Sequence, residues 1–474
     1  MRLGEYARYD AIGLRALIRA GEVTSAEVEE AARQAIEVAD AAVHGLALPA
    51  FEPALERSPD PDAALAGVPF LIKDTGPVAA GVPFFLGSRA VPGVVPPHDS
   101  DLMTRFRAAG LVTLGLTTAP EMAISFATES AKYGVTRNPW DLDRGVGGSS
   151  GGAAALVAAG AVPVAHATDG AGSIRVPASA CGLVGLKPSR GRTPCGPDLD
   201  EAFFGISHNF ALTRTVRDAA HLLDAVEGPG VGDKYTAPPP RRPYATELGA
   251  DVAPLRIGVT TRAWSGVPVD AEVAQAAESV AALLAGLGHH VDDASPTVDW
   301  ESVLSGLVPE VVAFIAAPLL GAPRAPDPNR LEAVTRQILR DAGDLSALDL
   351  FAAFGAHNRV SRSVGTFFTE YDLLITPTLG QLPAPHGTLD YDDPKHSVRG
   401  WLEAIFAYGP FTVVFNITGQ PALSLPLAQS SSGLPIGVQL VAPYGREDTL
   451  FRLAGLLEQA LPWHHRTPPT FVDE

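Results

Sequence analysis

The chain has 474 residues, 46% of them hydrophobic, with 35 Lys and Arg against 53 Asp and Glu and a formal net charge of −18. That acidity disfavours nucleic acid or an anionic membrane as a partner. The two cysteines, Cys181 and Cys195, cannot build a disulfide framework or, alone, a zinc site, and point to a reducing cytoplasm. Met1 to Asp10 lacks the apolar core of a secretory signal. Residues 153–167, broken by Pro163 and His166, are too few to span a bilayer. The expectation is a soluble, cytoplasmic protein. Length alone would allow about three domains of ~150 residues.

In chain order, Asp10 opens an amphipathic helix over 11–20 that Gly21 stops. Thr24 and Glu27 form a capping box for a second helix with its apolar face at Val28, Ala31, Ala32, Ala35, Ile36 and Ala39. Residues 67–72 predict a short buried strand that delivers Lys73 at its end. A helix over 100–109 and a strand over 111–116 follow, an alternation typical of a mostly parallel sheet. Residues 162–165 and 183–186 read as strands and 215–227 as a helix. The Gly/Pro-rich stretch 228–254 reads as a surface excursion. The sheet resumes at 255–259, and Asp270 caps a helix ending near Leu287, with Gly288 at C′. Residues 296–370 are mostly helical around a Pro-rich break at 321–328. A strand at 371–376, an irregular stretch at 377–396, a strand at 436–441 and a helix at 447–460 close the chain.

One stretch, Gly145 to Arg192, carries the chemistry. Two small-residue turns, Gly147-Gly148-Ser149-Ser150-Gly151-Gly152 and Gly170-Ala171-Gly172-Ser173, flank an Ala-rich segment. Such turns expose backbone N–H groups and hydroxyls to an anion or a developing oxyanion. No Lys follows the glycines as a phosphate-binding P-loop requires, and the spacing is wrong for a dinucleotide loop. A serine nucleophile beside an N–H cradle fits better than a Gly/Ser linker, because apolar residues flank both turns. His166, between apolar neighbours, reads as a core histidine, and Cys181 as a small buried hydrophobe. No His pairs with an acid at metal-ligand spacing, and no metal or other cofactor is expected.

These residues resemble the amidase signature family of serine hydrolases. GGSSGG at 147–152, DGAGSIR at 169–175 and CGLVGLKP at 181–188 follow that family's pattern, and Ser149 and Ser173 have its spacing. The segments around Lys73 and from Phe415 to Pro426 are similar as well, so the resemblance covers nearly the whole chain. It implies an α/β fold in one large domain over 1–474, a mixed, mostly parallel central sheet flanked by helices. The core signature would span 67–225, and a variable region at about 300–410 would set specificity. It further implies a Ser–cis-Ser–Lys triad: nucleophile Ser173, relay Ser149 preceded by a cis peptide bond, and base Lys73. The oxyanion hole would be the backbone N–H groups of Gly170, Ala171, Gly172 and Ser173. Ala171 stands where glycine is usual, a problem only if the position needs φ > 0. Lys73 can be a base only if burial depresses its pKa from about 10.4. Asp169 and Arg175 would order the turn, and Ser150 would brace it.

Within the family, the C-terminal segments resemble the 6-aminohexanoate-cyclic-dimer hydrolase type. Met122, Ile124 and Ser125 are the candidate substrate contacts. That group carries Asn where Ile124 stands, which favours a more apolar acyl or aryl group here. The implied reaction is hydrolysis of a small-molecule carboxylic amide, linear or cyclic, with esterase side activity and, by analogy, a homodimer. The rival readings are a glutaminase subunit of a tRNA-dependent amidotransferase and a non-catalytic binding module on the same fold. Against the first, its usual G-K-T-N run is here Gly115-Leu116-Thr117-Thr118.

Overall fold

The computed structural model describes residues 1–55, 60–75 and 79–473. Among them, ten strands form one sheet. From one edge to the other it runs His290–Asp293, Arg256–Val259, Leu373–Pro377, Pro435–Val441, Ala422–Gln429, Val184–Lys187, His208–Thr213, Val164–Asp169, Pro69–Lys73 and Val112–Thr117. Helices flank the sheet in a single α/β domain. The sheet is mixed, as the sequence implies, but its parallel character is confined to the two flanks. Pro69–Lys73 runs parallel to both its neighbours, and so does Arg256–Val259. The five pairings between them are antiparallel. The expected majority of parallel pairs is therefore corrected. The centre is built from strands such as His208–Thr213 and Ala422–Gln429, which no β–α–β alternation announces.

The strands that carry the site are buried along their whole length: Pro69–Lys73, Val112–Thr117 and Val164–Asp169 expose nothing. Two-sided burial is what continuous apolar runs buy in a covered sheet. The N-terminal signals act as read. Asp10 accepts the Gly13 N–H, Gly21 ends the helix in the left-handed region, and Thr24 and Glu27 close a capping box. Asp270 precedes the Ala271–Gly286 helix, but its side chain makes no cap and instead faces the Leu382 N–H. Residues 413–418 form a helix, so the late strand begins only at Ala422.

The Gly151–Ala158 helix is wholly buried, which needs residues without bulk. A Cβ on Gly151 would overlap Thr128 and Val146, and one on Gly152 would overlap Thr118 and the Gly45 carbonyl. Close approach, not flexibility, requires glycine in this turn.

The Trp300–Leu320 helix has 21 residues and contains an 18-residue stretch of mean hydropathy 2.0, long and apolar enough by composition to cross a bilayer. Just over half of it is buried here, packed against Ala347–Phe367 and Val398–Tyr408, and it carries the buried Glu310. It is a core helix of this fold.

Candidate active site

The Pro69–Lys73 strand ends by placing Lys73, fully buried, beside the Gly147–Gly152 turn. Its Nζ lies 2.7 Å from Ser149 Oγ, 2.9 Å from Ser150 Oγ and 2.7 Å from Thr168 Oγ1. Ser150 donates its own proton to the Thr168 carbonyl and accepts the Thr168 N–H, so toward the amine it acts only as an acceptor. A neutral amine has two protons and one lone pair. The lone pair is left for a hydroxyl free to donate, and the hydroxyls of Ser149 and Thr168 have no other partner among the described residues. Ser149 follows a cis peptide bond from Gly148.

Burial pulls the Lys73 amine down to about 7, against the opposing pull of Asp169 and Asp74. Both carboxylates are already engaged. Asp74 accepts the Phe85 and Gly87 N–H groups at 2.7 and 2.9 Å and the Tyr133 hydroxyl at 2.7 Å. Asp169 is held by Arg175 through two bonds of 2.9 Å and by Asn416 at 2.8 Å, which keeps it well below the usual carboxylate range. A direct pairing of Lys73 with Asp74 is thus absent among the described contacts.

The second turn follows the Val164–Asp169 strand. No backbone N–H from Gly170 to Ser173 has a protein acceptor among the described residues. The left-handed demand falls on Gly172 (φ 145), where a Cβ would come 2.5 Å from Thr412 Oγ1. Ala171 lies outside the positive-φ region, so its methyl is accommodated. Its carbonyl accepts the Thr412 hydroxyl at 2.6 Å. Ser173, 5% exposed, makes no hydrogen bond among the described residues and opens on a cavity that Ser149 and Thr168 also line. No hydrogen bond joins Ser149 to Ser173 here; such contacts tighten when substrate fills a site.

Met122, Ile124 and Ser125 all line this cavity. The opposite walls come from Phe203, from Leu307, Val311 and Phe314 of the Trp300–Leu320 helix, and from Leu402 and Phe406 of Val398–Tyr408. No ionisable side chain lines it among the described residues. Sequence reading missed Thr168, Thr412 and these aromatic walls. Strand alternation could have found Thr168, since residues 166 and 168 share a face. His166 accepts the Lys73 N–H on Nδ1 at 3.4 Å and is kept neutral by burial. Cys181 is buried and its thiol is pushed up, as befits an inert packing residue.

Comparison with known proteins shows the family. A family model described as Amidase matches residues 26–451. The 6-aminohexanoate-cyclic-dimer hydrolase of Paenarthrobacter ureafaciens is 38% identical, over 97% of this chain and 96% of that one. The structure of a 6-aminohexanoate cyclic dimer hydrolase complexed with substrate superposes with a TM-score of 0.91 at 37% identity, covering 98% and 99% of the two chains. A bacterial aryl acylamidase of the amidase signature family gives 0.82 at 25% identity, covering 96% of each chain. The chain belongs to the amidase family, and it is a hydrolase of amide carbon–nitrogen bonds.

Arg175, fully buried, also donates to the Thr412 carbonyl, Gln439 and Asn416. Arg175→Met leaves Asp169 uncompensated in the interior, and urea unfolding is expected to show a loss of about 3–5 kcal/mol. A variant as stable as the parent would refute the anchoring role.

Proposed function

We propose that this amidase cleaves an uncharged, largely apolar carboxylic amide by a serine acyl-enzyme route. Ser173 Oγ attacks the carbonyl carbon while its proton passes to Ser149 Oγ and the Ser149 proton passes to Lys73 Nζ. The tetrahedral oxyanion is met by the free N–H groups of residues 170–173. The Lys73 ammonium returns its proton through Ser149 to the leaving nitrogen, and the C–N bond breaks. Water then attacks the Ser173 ester by the same relay, releasing the acid. The observation that carries this reading is the buried Lys73 amine, down to about 7, at 2.7 Å from the Ser149 hydroxyl.

The cavity supports the substrate class. Its lining has no charge to meet a carboxylate or ammonium, and desolvating either uncompensated is costly. A neutral cyclic diamide, as in the relatives' name, satisfies this condition. Ile124 makes the wall more apolar than an Asn there would. Glutamine, with both charges, does not fit, which disfavours the amidotransferase reading. Met122, Ile124 and Ser125 are the proposed contacts, and the region 300–410 the proposed determinant of specificity, because its helices supply the walls. The proposal includes a homodimer, by family analogy, and a cytoplasmic setting, supported by two unpaired cysteines.

Ser173→Ala is expected to lower kcat by at least about 10³-fold with the fold kept, and a fluorophosphonate is expected to label Ser173 alone in the parent protein. A mutant that retains most activity would sink the assignment. The pH profile follows from the sign of the lysine shift. The base is the deprotonated form, so kcat/KM rises tenfold per pH unit below about 7 and levels off above it. In Lys73→Met the residual rate loses this limb; an unchanged limb would point to a different base. Paired substrates test the cavity: an amide with a neutral terminal methyl is expected to exceed its terminal-carboxylate analogue at least about 100-fold in kcat/KM. Equal rates would exclude an uncharged pocket.

A further inference from the structure

Beyond the cavity, aromatic rings continue in an unbroken line to the surface. Phe203, 9% exposed, lines the cavity beside Gly170, whose added Cβ would lie 3.6 Å from the ring. Its ring centroid is 5.0 Å from Phe314 and 6.4 Å from Phe204. Phe204 meets Phe354 edge-on at 5.6 Å, and Phe354 meets Phe351 at 6.5 Å. The last two belong to the Ala347–Phe367 helix, where Phe351 is 72% and Phe354 40% exposed. Leu348, one turn before Phe351, is 78% exposed. Large apolar side chains clustered in water on one helix mark a binding surface more often than scattered ones do.

The backbone adds a second, independent observation. Phe203 and Phe204 are consecutive residues in the left-handed region, at φ 51 and 52, where aromatic side chains are rare. The turn is held by its own backbone bonds and, from outside, by Arg190. Ile206 N–H donates to the Phe203 carbonyl at 2.9 Å, Ser207 N–H to Ala202 at 3.1 Å, and Arg190 Nε to Gly205 at 2.6 Å. Its effect is to send one ring into the cavity and the next toward the surface rings. Strain of this kind persists where the surroundings impose it, and it gathers at ligand clamps.

We propose that the line Phe203–Phe204–Phe354–Phe351 is a second subsite that binds an extended alkyl or aryl substituent of the amide outside the cavity. This rests on the function proposed above. The occupant is the substrate because the line is continuous with the nucleophile's cavity: Phe203 and Phe314 line the one and begin the other. A second protein copy on this face would cover the track without using that continuity.

The test uses two substrate series at concentrations below self-association: 4-nitroanilides of straight-chain acids from C2 to C10, and acetamides of straight-chain amines from C2 to C10. In at least one series, kcat/KM is expected to rise about tenfold from C4 to C10, through a fall in KM. In the double variant Phe351→Ser, Phe354→Ser, the C10-to-C4 ratio falls to about one. A ratio needs no correction for partly folded protein. A flat response in both series, or a length dependence that survives the double variant, overturns the subsite. So does a sedimentation result in which the double variant loses a dimer while the length dependence persists. Failure of every member, with no labelling of Ser173 by fluorophosphonate, overturns the proposed function instead.

Discussion

The proposed proton relay depends on keeping one lysine neutral in the presence of two carboxylates. Desolvation alone would depress Lys73 further, and Asp74 and Asp169 alone would hold it as an ammonium. The balance is set by what the carboxylates are already doing. Asp74 spends its oxygens on Phe85, Gly87 and Tyr133, and Asp169 spends its on Arg175 and Asn416. Among the described residues, the amine's hydrogen-bond partners are three hydroxyls, which solvate a neutral or a charged nitrogen without fixing either. The amine therefore sits near the point where accepting and returning a proton are both cheap.

The same arrangement explains why the site requires the whole domain. Arg175 ties the nucleophile turn to Thr412, Asn416 and Gln439, more than 200 residues further on. Thr412 also grips the Ala171 carbonyl and fills the space that a side chain at 172 would need. The turn is held by the Pro435–Val441 strand, through Gln439, and by the short helix at 413–418 with Thr412 before it. As the proposed oxyanion site, a turn held this way would need no reorganisation when charge develops.

Much of this was legible in the sequence, and the boundary is physical. Local signals survived: the Thr24–Glu27 box, the Gly21 stop, the strand delivering Lys73, and the two glycine–serine turns. Each is set by residues within a few positions of one another. Sheet order was not legible, because His208–Thr213 inserts between Val164–Asp169 and Val184–Lys187 by a long-range pairing that leaves no periodic trace. Nor were the cavity walls. The Trp300–Leu320 helix is apolar on nearly every side, so its pattern cannot show that Leu307, Val311 and Phe314 face the serine while others face the core. Ala171 posed a question about φ that the chain could raise but not answer. The neighbouring Gly172 takes the unusual conformation in its place.

The apolar walls and the neutral lysine are two consequences of one dry environment. A carboxylate held in the cavity would act on Lys73 as Asp169 and Asp74 do, raising its proton affinity and removing the base at neutral pH. An ammonium would act in the opposite sense, lowering the amine's affinity for the proton it must accept during attack. A neutral amide disturbs neither balance and expels water as it enters, which strengthens the N–H contacts to the developing oxyanion. On the proposed mechanism, substrate charge is thus restricted twice, by the cost of desolvation at the walls and by the electrostatics of the base. Relaxing the first with a polar wall residue would still leave the second in force.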